Sequence, residues 1–378
     1  MKVIHVISGG DSGGAKTHLI ALAKELVKHI DLKIVCFIEG DFYIEAKELG
    51  LPVVLIKQNK RTDAIFSKEL VKFIEKEQPD IVHAHGARAN FTICLNRKKI
   101  KCPIITTVHS DYRLDFKDNL YKYIVFTCLN KISLGAFDYY IGVSPEFKKM
   151  LVDRGYKEEL VYSIFNGVDF NEHKEKLSRE EFAKKYNLDL SKLEGKTIIG
   201  NLSRLDAVKA VDVFVDAAAE ALKENKDLHF LVAGDGNQRE ALEKQIEKLG
   251  IGDDLTLMGF ITDPVSFLDL IDVNCITSHC ESFTYSLLEG AREHKASIAS
   301  RVGGLPYLIK DNETGLLFED NDIKGLKDAM LKYVSDENFR NTMGENLYKF
   351  ASENFSTDAM CKKHLEIYEE VIKRGKQK

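Results

Sequence analysis

One pattern constrains the fold more than any other: short β-branched runs alternate with stretches whose apolar residues recur at helical spacing, and the series runs, stops and starts again. Lys2 to Ser8 reads as a strand, and Ala15 to Lys28 as a helix with Leu19, Leu22 and Leu26 on one face. Leu32 to Ile38, Pro52 to Ile56, Ile81 to Ala84, Pro103 to Val108, Tyr139 to Val143 and Val161 to Ile164 continue as strands, with helical stretches such as Ser67 to Glu77 between them. Parallel strands need long crossovers, so the alternation implies βαβ units and a parallel sheet. After Asn166-Gly167-Val168-Asp169, a polar, charge-dense stretch from Asn171 to Lys196 interrupts the series. It restarts with strands Thr197 to Leu202, Leu228 to Ala233, Leu255 to Met258, Val273 to Thr277 and Ser297 to Ala299, separated by helices Val211 to Glu224, Arg239 to Leu249 and Leu287 to Glu293. The expected fold class is α/β, with two Rossmann-like, doubly wound parallel-sheet domains facing across a cleft. We place them at residues 1–170 and 171–355, with 356–378 as a C-terminal helix returning to the first domain. Ligands of such sheets bind beyond the carboxyl ends of the strands.

The chain has 378 residues, 44% hydrophobic and 30% charged, with 25 Gly and only 6 Pro, which excludes disordered, collagenous and disulfide-stapled classes. MKVIHVISGG holds too short an apolar run for a signal peptide, and no 18-residue apolar run spans a membrane. Seven cysteines without a C-x-x-C pair, several inside apolar strand-like runs, read as reduced core thiols of a cytoplasmic protein, with no zinc site. Charge is uneven: residues 1–170 carry 25 Lys and Arg against 21 Asp and Glu, net +4, whereas the rest carry 29 against 38, net −9. Its sharpest local form is the basic, aromatic stretch 97–131, with eight basic and three acidic residues. Such a stretch can face an anionic membrane surface, or it can be a solvated face over a packed helix. Nucleic acid is not expected at a pI near 6.2 without a recognisable binding motif.

Chemistry concentrates at the strand ends. Gly9-Gly10-Asp11-Ser12-Gly13-Gly14-Ala15 joins a strand to a helix, and its glycines let backbone N–H groups approach a phosphate; a tight turn explains it equally well. His18 follows in the first helical turn. His83-Ala84-His85 and His109 place imidazoles at strand ends, where they can hydrogen-bond hydroxyls or a reacting oxygen. A metal site is conceivable there, yet no carboxylate lies close in sequence. His83 is the one expected inside its strand.

In the second half, Arg204 and Lys209 can converge on a diphosphate, or be surface cations with Asp206 between them. Gly234-Asp235-Gly236 ends a strand, but Arg239 stands where a dinucleotide fingerprint wants glycine, against a nicotinamide site. Ser278-His279-Cys280-Glu281-Ser282-Phe283-Thr284 leads to Glu289, so two carboxylates can hold two groups of one extended ligand. The backbone N–H groups of Ser282, Phe283 and Thr284 are then aimed at developing negative charge. The alternative is structural: Ser278-x-x-Glu281 and Ser286-x-x-Glu289 each fit a capping box. Val302-Gly303-Gly304-Leu305-Pro306 supplies another turn, and in Asp320-x-Asp322 the reading preferred is a helix cap.

Nine segments, in this order, resemble the glycosyltransferase family 4 (GT4) of retaining glycosyltransferases, with the two-domain GT-B fold: Gly13-Gly14-Ala15-x-x-His18, His83-Ala84-His85, Thr107-Val108-His109, Gly142-Val143-Ser144, Asn166-Gly167-Val168-Asp169, Arg204-x4-Lys209, Gly234-Asp235-Gly236-x-x-Arg239, Glu281-x7-Glu289 and Gly303-Gly304-Leu305-Pro306. The resemblance implies a nucleotide-sugar donor, a UDP-sugar ahead of a GDP-sugar, and a carbohydrate or lipid-linked acceptor, without a metal or other cofactor. Gly13, Gly14 and Gly234 would lie at the donor; Arg204 and Lys209 would bind the diphosphate; Glu289 would hold the ribose. Glu281 with Ser282, Phe283 and Thr284 would hold the sugar, and His109 would sit beside the reacting centre, with His18 and His85 on the acceptor side. Peripheral contact with the inner membrane face through 97–131 fits members acting on lipid-linked acceptors.

The chain departs from the family pattern at Ser203, Ala210, Ser282 and Thr284, where glycines are usual, at Lys295-Ala296-Ser297 in place of Gly-x-Pro, and at Tyr307 in place of an acid. Activity with altered preference is expected. An inactive paralogue serving as a binding partner of another transferase is the alternative.

Overall fold

The computed structural model describes residues 1–10, 14–59, 63–109, 111, 113, 120–172, 175–281 and 284–375. The chain divides into two compact units, one of Met1–Gly167 with Thr357–Lys378 and one of Val168–Ser356.

The first unit begins β1 (Lys2–Ile7), α1 (Gly14–Leu26), β2 (Asp31–Cys36), α2 (Asp41–Glu48), β3 (Val53–Leu55), α3 (Ala64–Glu77), β4 (Ile81–His85) and α4 (Gly86–Asn96). It continues with β5 (Ile104–Val108), α5 (Leu120–Leu134), β6 (Tyr139–Gly142), α6 (Pro145–Asp153) and β7 (Val161–Ser163). The second unit holds α7 (Arg179–Tyr186), β8 (Thr197–Leu202), α8 (Val211–Glu224), β9 (Leu228–Ala233), α9 (Arg239–Leu249), β10 (Leu255–Gly259), α10 (Pro264–Leu270) and β11 (Val273–Ile276). After these come α11 (Tyr285–Arg292), β12 (Ala296–Ser300), α12 (Leu305–Leu308), β13 (Leu316–Phe318), α13 (Ile323–Ser335) and α14 (Glu337–Asn354). The last helix, α15 (Thr357–Gly375), belongs to the first unit.

Both sheets are parallel, ordered β3-β2-β1-β4-β5-β6-β7 and β10-β9-β8-β11-β12-β13. Each reverses direction beside its first strand, between β1 and β4 and between β8 and β11, and these are the switch points where open sheets bind ligands. The strands are buried on both faces because helices cover both. On β1, Val3 and Ile7 pack with Leu19, Leu22 and Leu26 of α1 and with Met360, Ile367, Tyr368 and Val371 of α15. Ile4 and Val6 face the opposite layer, with Phe66, Leu70 and Ile93. In the second unit, α8 and α13 cover one face, and Phe182, Phe267 and Leu268 cover the other.

Three local features differ from the sequence expectations. The polar stretch before β8 contains α7, started by a complete capping box between Ser178 and Glu181 and anchored by buried Phe182. Three residues, Leu316–Phe318, form an additional edge strand, too short for alternation to register. Cysteine burial is mixed: Cys36, Cys275 and Cys361 are buried, Cys94 and Cys102 partly so, while Cys128 and Cys280 are exposed.

Candidate functional site

In the second unit the chemistry gathers at the β8/β11 switch point. β8 ends at Leu202 and β11 at Ile276, and the loops that follow are stitched together by the chain itself. His279 N donates to Val208 O (2.9 Å), and Thr277 Oγ1 donates to Lys209 O (2.9 Å). Ser300 Oγ from the end of β12 donates to Ser278 O (2.6 Å). This stitching brings Lys209 Nζ into direct contact with Glu281 Oε1, which also accepts from Ser278 Oγ (2.8 Å). The two side chains are only 19% and 10% exposed, so the pair sits in a recess rather than on an open surface. Neither is the independent surface cation or the helix-capping acid of the structural alternatives. No helix starts at Glu281, and α11 has Thr284 as its N-cap with no side-chain cap bond. Neither expected capping box forms: Ser286 and Glu289 both lie inside α11, and Thr284 Oγ1 and Ser286 Oγ share a hydrogen bond (3.0 Å).

Arg204 does not join Lys209 here. Its guanidinium is 75% exposed and lies on Asp206 (2.9 Å). Ala210, where a glycine was expected from the resemblance, adopts φ +47°, a left-handed conformation that costs a residue with Cβ about 1–2 kcal/mol. Two glycines are fixed by close approach. A Cβ on Gly234 (φ +145°) would lie 1.8 Å from Ser203 O, and one on Gly303 (φ +52°) 1.7 Å from Glu281 O, while Gly304 N donates to that same carbonyl (3.1 Å). The loops after β8, β9, β11 and β12 therefore converge at backbone distance around Lys209 and Glu281. Glu289 lies five residues into α11, partly exposed. Asp322 caps α13 by accepting from Gly325 N (2.9 Å), and Asp320 pairs with His279 (2.7 Å). Gly13, Ser282 and Phe283 lie outside the described residues, and Gly14 opens α1.

In the first unit, the histidines lie at its own switch point. Parallel pairing sets His5 opposite His83 and Ile7 opposite His85. With β5 next to β4, Thr107 falls opposite His85. His5, His83, His85 and Thr107 thus form a polar row, 0–1% exposed, inside the layer that α1 and α15 cover. From α1, His18 donates from Nδ1 to Asn166 Oδ1 (3.0 Å); from α15 come His364, whose Nδ1 donates to Met360 O (2.9 Å), and Tyr368. Burial drives every one of these imidazoles toward the neutral form: His5 to about 3, His18 to about 4, and His83, His85, His109 and His364 well below the usual value, with neighbouring rings adding to the effect in the last four. Of the three acceptor-side histidines, His18 and His85 are enclosed; His109, after β5, is partly exposed, with its ring 4.9 Å from that of His18.

Sequence reasoning missed His5, His364 and Tyr368. The signal was there in part: beyond Lys2 at its start, His5 is the one polar residue of an otherwise apolar β1, and His364 and Tyr368 are spaced i, i+4 on one helix face.

Comparison with known proteins gives a consistent pattern. The family model described as Glycosyl transferases group 1 matches residues 182–350, and that described as Glycosyltransferase Family 4 matches 12–172. An uncharacterized glycosyltransferase of Methanocaldococcus jannaschii is 28% identical over 367 residues, 95% of each chain. The GalNAc-alpha-(1->4)-GalNAc-alpha-(1->3)-diNAcBac-PP-undecaprenol alpha-1,4-N-acetyl-D-galactosaminyltransferase of Campylobacter jejuni is 26% identical over 357 residues, 92% of each. Among solved structures, Anabaena HepE in complex with UDP-glucose superposes with a TM-score of 0.81 at 20% identity, over 98% of this chain and 100% of that one.

Proposed function

We propose, for a chain that belongs to the GT4-type glycosyltransferases of the GT-B fold, that it transfers a hexosyl or N-acetylhexosaminyl group from a nucleoside-diphosphate sugar to an acceptor hydroxyl, with retention of anomeric configuration. The carrying observation is the Lys209–Glu281 pair in its recess at the β8/β11 switch point. Departure of a nucleoside diphosphate from an anomeric carbon develops negative charge on the diphosphate and positive charge on the sugar. Lys209 is placed to stabilise the first, with Arg204 swinging from Asp206 to add a directed fork of N–H donors. Those two cations supply the charge a metal would otherwise bring, so transfer is metal-independent in this reading. Glu281, held by Ser278, accepts hydroxyls of the sugar, and Glu289 accepts those of the ribose. A UDP-sugar is preferred over a GDP-sugar; HepE, which shares the fold, was solved with UDP-glucose.

For the acceptor we propose a carbohydrate or a lipid-linked glycan, the class named for the Campylobacter relative. Among the described residues no helix is long and apolar enough to cross a membrane. The surface around α4 and α5 supports a peripheral contact with the inner membrane face instead. Leu95, Ile124 and Ile132 are 58%, 52% and 66% exposed, in a region that also carries exposed Lys98, Lys99, Lys101 and Lys131. Apolar side chains flanked by cations suit an anionic bilayer surface. Arg97 takes no part, being held by Asp138 (3.0 Å) and Ile100 O (2.8 Å). The test of the transfer reading is Glu281→Gln, which keeps shape and removes charge. Sugar transfer from a panel of nucleotide sugars should be lost in a variant that still folds, its melting temperature lowered by the unpaired Lys209; near-normal turnover refutes it.

A further inference from the structure

We propose that Tyr368 on α15 is a positioning residue. It closes a hydrogen-bonded chain, Thr107–His83–Tyr368–His5–His85, that fixes which ring nitrogen of His85 carries the proton. The contacts run in unbroken order. Thr107 Oγ1 meets His83 Nε2 (2.8 Å), and His83 Nδ1 meets Tyr368 Oη (2.7 Å). Tyr368 Oη meets His5 Nε2 (3.0 Å), and His5 Nδ1 meets His85 Nε2 (3.0 Å). His85 Nδ1, at the open end, is buried and has no hydrogen-bond partner among the described residues.

A neutral imidazole has one N–H and one lone pair, and the phenol has one hydrogen. Only two arrangements put one proton in each of the four contacts while using the phenolic hydrogen. If Thr107 donates to His83, then His83 donates to Tyr368, Tyr368 to His5 and His5 to His85, leaving Nδ1–H on His85. If His83 donates to Thr107, every step reverses and His85 Nδ1 presents a lone pair.

The surroundings select between them. His18 Nδ1 is spent on Asn166 and His364 Nδ1 on Met360 O, so both Nε2 atoms are lone pairs, and both are buried without a partner. The His18 and His364 rings are 5.8 Å apart, and the His85 ring is 6.3 Å from His18 and 5.9 Å from His109. A third lone pair in this cluster adds repulsion in a low-dielectric interior, whereas an N–H complements the two already there. The chain therefore rests with Nδ1–H on His85, and Tyr368, reaching from the last helix, sets the proton arrangement of a ring that lies 6.3 Å from His18 and 5.9 Å from His109. The catalytic consequence rests on the placement of His109 at the acceptor side proposed above; the proton arrangement does not.

The experiment is long-range 1H–15N correlation NMR of the full chain with 15N-labelled histidine at neutral pH, the His85 signals being assigned by their loss in His85→Asn. The wild type should show His85 as a single tautomer with the proton on Nδ1. Tyr368→Phe removes the central oxygen and keeps the ring, and it should move both His5 and His85 away from that signature. Thr107→Val should do so from the far end, should the phenylalanine variant not fold. His85 found with the proton on Nε2, or unmoved in both variants, overturns the proposal. So does a stoichiometric Zn2+ titration that shifts His5, His83 and His85 together, because these rings offer nitrogens within 4.8 Å of one another and would then be a metal site. With a moved tautomer, kcat should fall roughly tenfold at unchanged donor KM, the size of one hydrogen bond's contribution lost from the transition state. A moved tautomer with unchanged kcat overturns the catalytic part and the acceptor-side placement of His109. Absence of any transfer by the wild type refutes the proposed function and leaves the NMR result intact.

Discussion

Mild acid should unfold the first unit well before the second. Five imidazoles there are fully enclosed: His5, His18, His83, His85 and His364, all 0–1% exposed. Desolvation holds each neutral far below its unfolded pKa of about 6.5, His5 to about 3 and His18 to about 4. Because the folded pKa is depressed for a base, the unfolded chain binds more protons once pH drops below about 6.5, and stability is lost from there downward. At about pH 5.5 an unfolded imidazole has gained RT ln 11, roughly 1.4 kcal/mol, over its neutral form, so five contribute about 7 kcal/mol. That is comparable to the roughly 5–15 kcal/mol total stability of a domain. Among the described histidines of the second unit only His229, lowered to about 4, adds such a shift, worth about 1.4 kcal/mol at the same pH. For units of this size, at about 2–4 °C per kcal/mol, the first should lose roughly 20 °C in Tm between about pH 7.5 and 5.5 and the second only a few degrees. Hydrogen exchange followed by mass spectrometry during a pH series resolves the two by peptide. Equal acid sensitivity of both units refutes the reasoning. His364→Leu should recover about 1.4 kcal/mol of the loss at about pH 5.5 by removing one of the five proton acceptors.

Other perturbations probe separate layers of the structure. Lys209→Met leaves Glu281 charged in a recess without its partner, and should both destabilise by about 3 kcal/mol in urea unfolding and weaken donor binding in calorimetry; unchanged affinity would remove Lys209 from the diphosphate site. Gly234→Ala forces a Cβ onto Ser203 O in a backbone region L residues rarely adopt, so the variant should lose several kcal/mol of stability or fail to accumulate as folded protein; wild-type stability would contradict the packing of these loops. Ile367→Ala, at 2% exposure under the first sheet, should cost about 2–5 kcal/mol, read as a lower urea midpoint for the first unit. Charge reversal at Lys98, Lys99 and Lys101 should reduce salt-sensitive co-sedimentation with anionic vesicles, and equal binding in low and high salt would refute the membrane contact.

How much of this was legible in the sequence depends on how local the cause is. Helices α8 and α9 and strands β8 and β9 follow the expected residues because periodicity, flanking glycines and tertiary burial agree there. Helix α7 was missed because its apolar content is only Phe182 and Ala183, with Tyr186 at its end, in an otherwise charged octet, too sparse to set a period, although Ser178 and Glu181 spelled its start. Around the site, the family pattern marked Lys209 and Glu281, but not that they meet. That contact depends on loops 72 residues apart being stitched by Thr277 and Ser278. The histidine layer was visible only in pieces, since no local rule connects His5 to a tyrosine 363 residues later.

That separation governs how the protein is made. The second unit is contiguous, whereas the first has its sheet at the start of the chain and the helix that roofs it at the very end. On a ribosome, Val168–Ser356 can therefore finish folding while the earlier sheet still waits for Met360, Ile367, Tyr368 and Val371 to emerge. Closing so long a loop is slow and entropically costly, so the half-roofed sheet is the species most exposed to aggregation and to chaperone capture during synthesis.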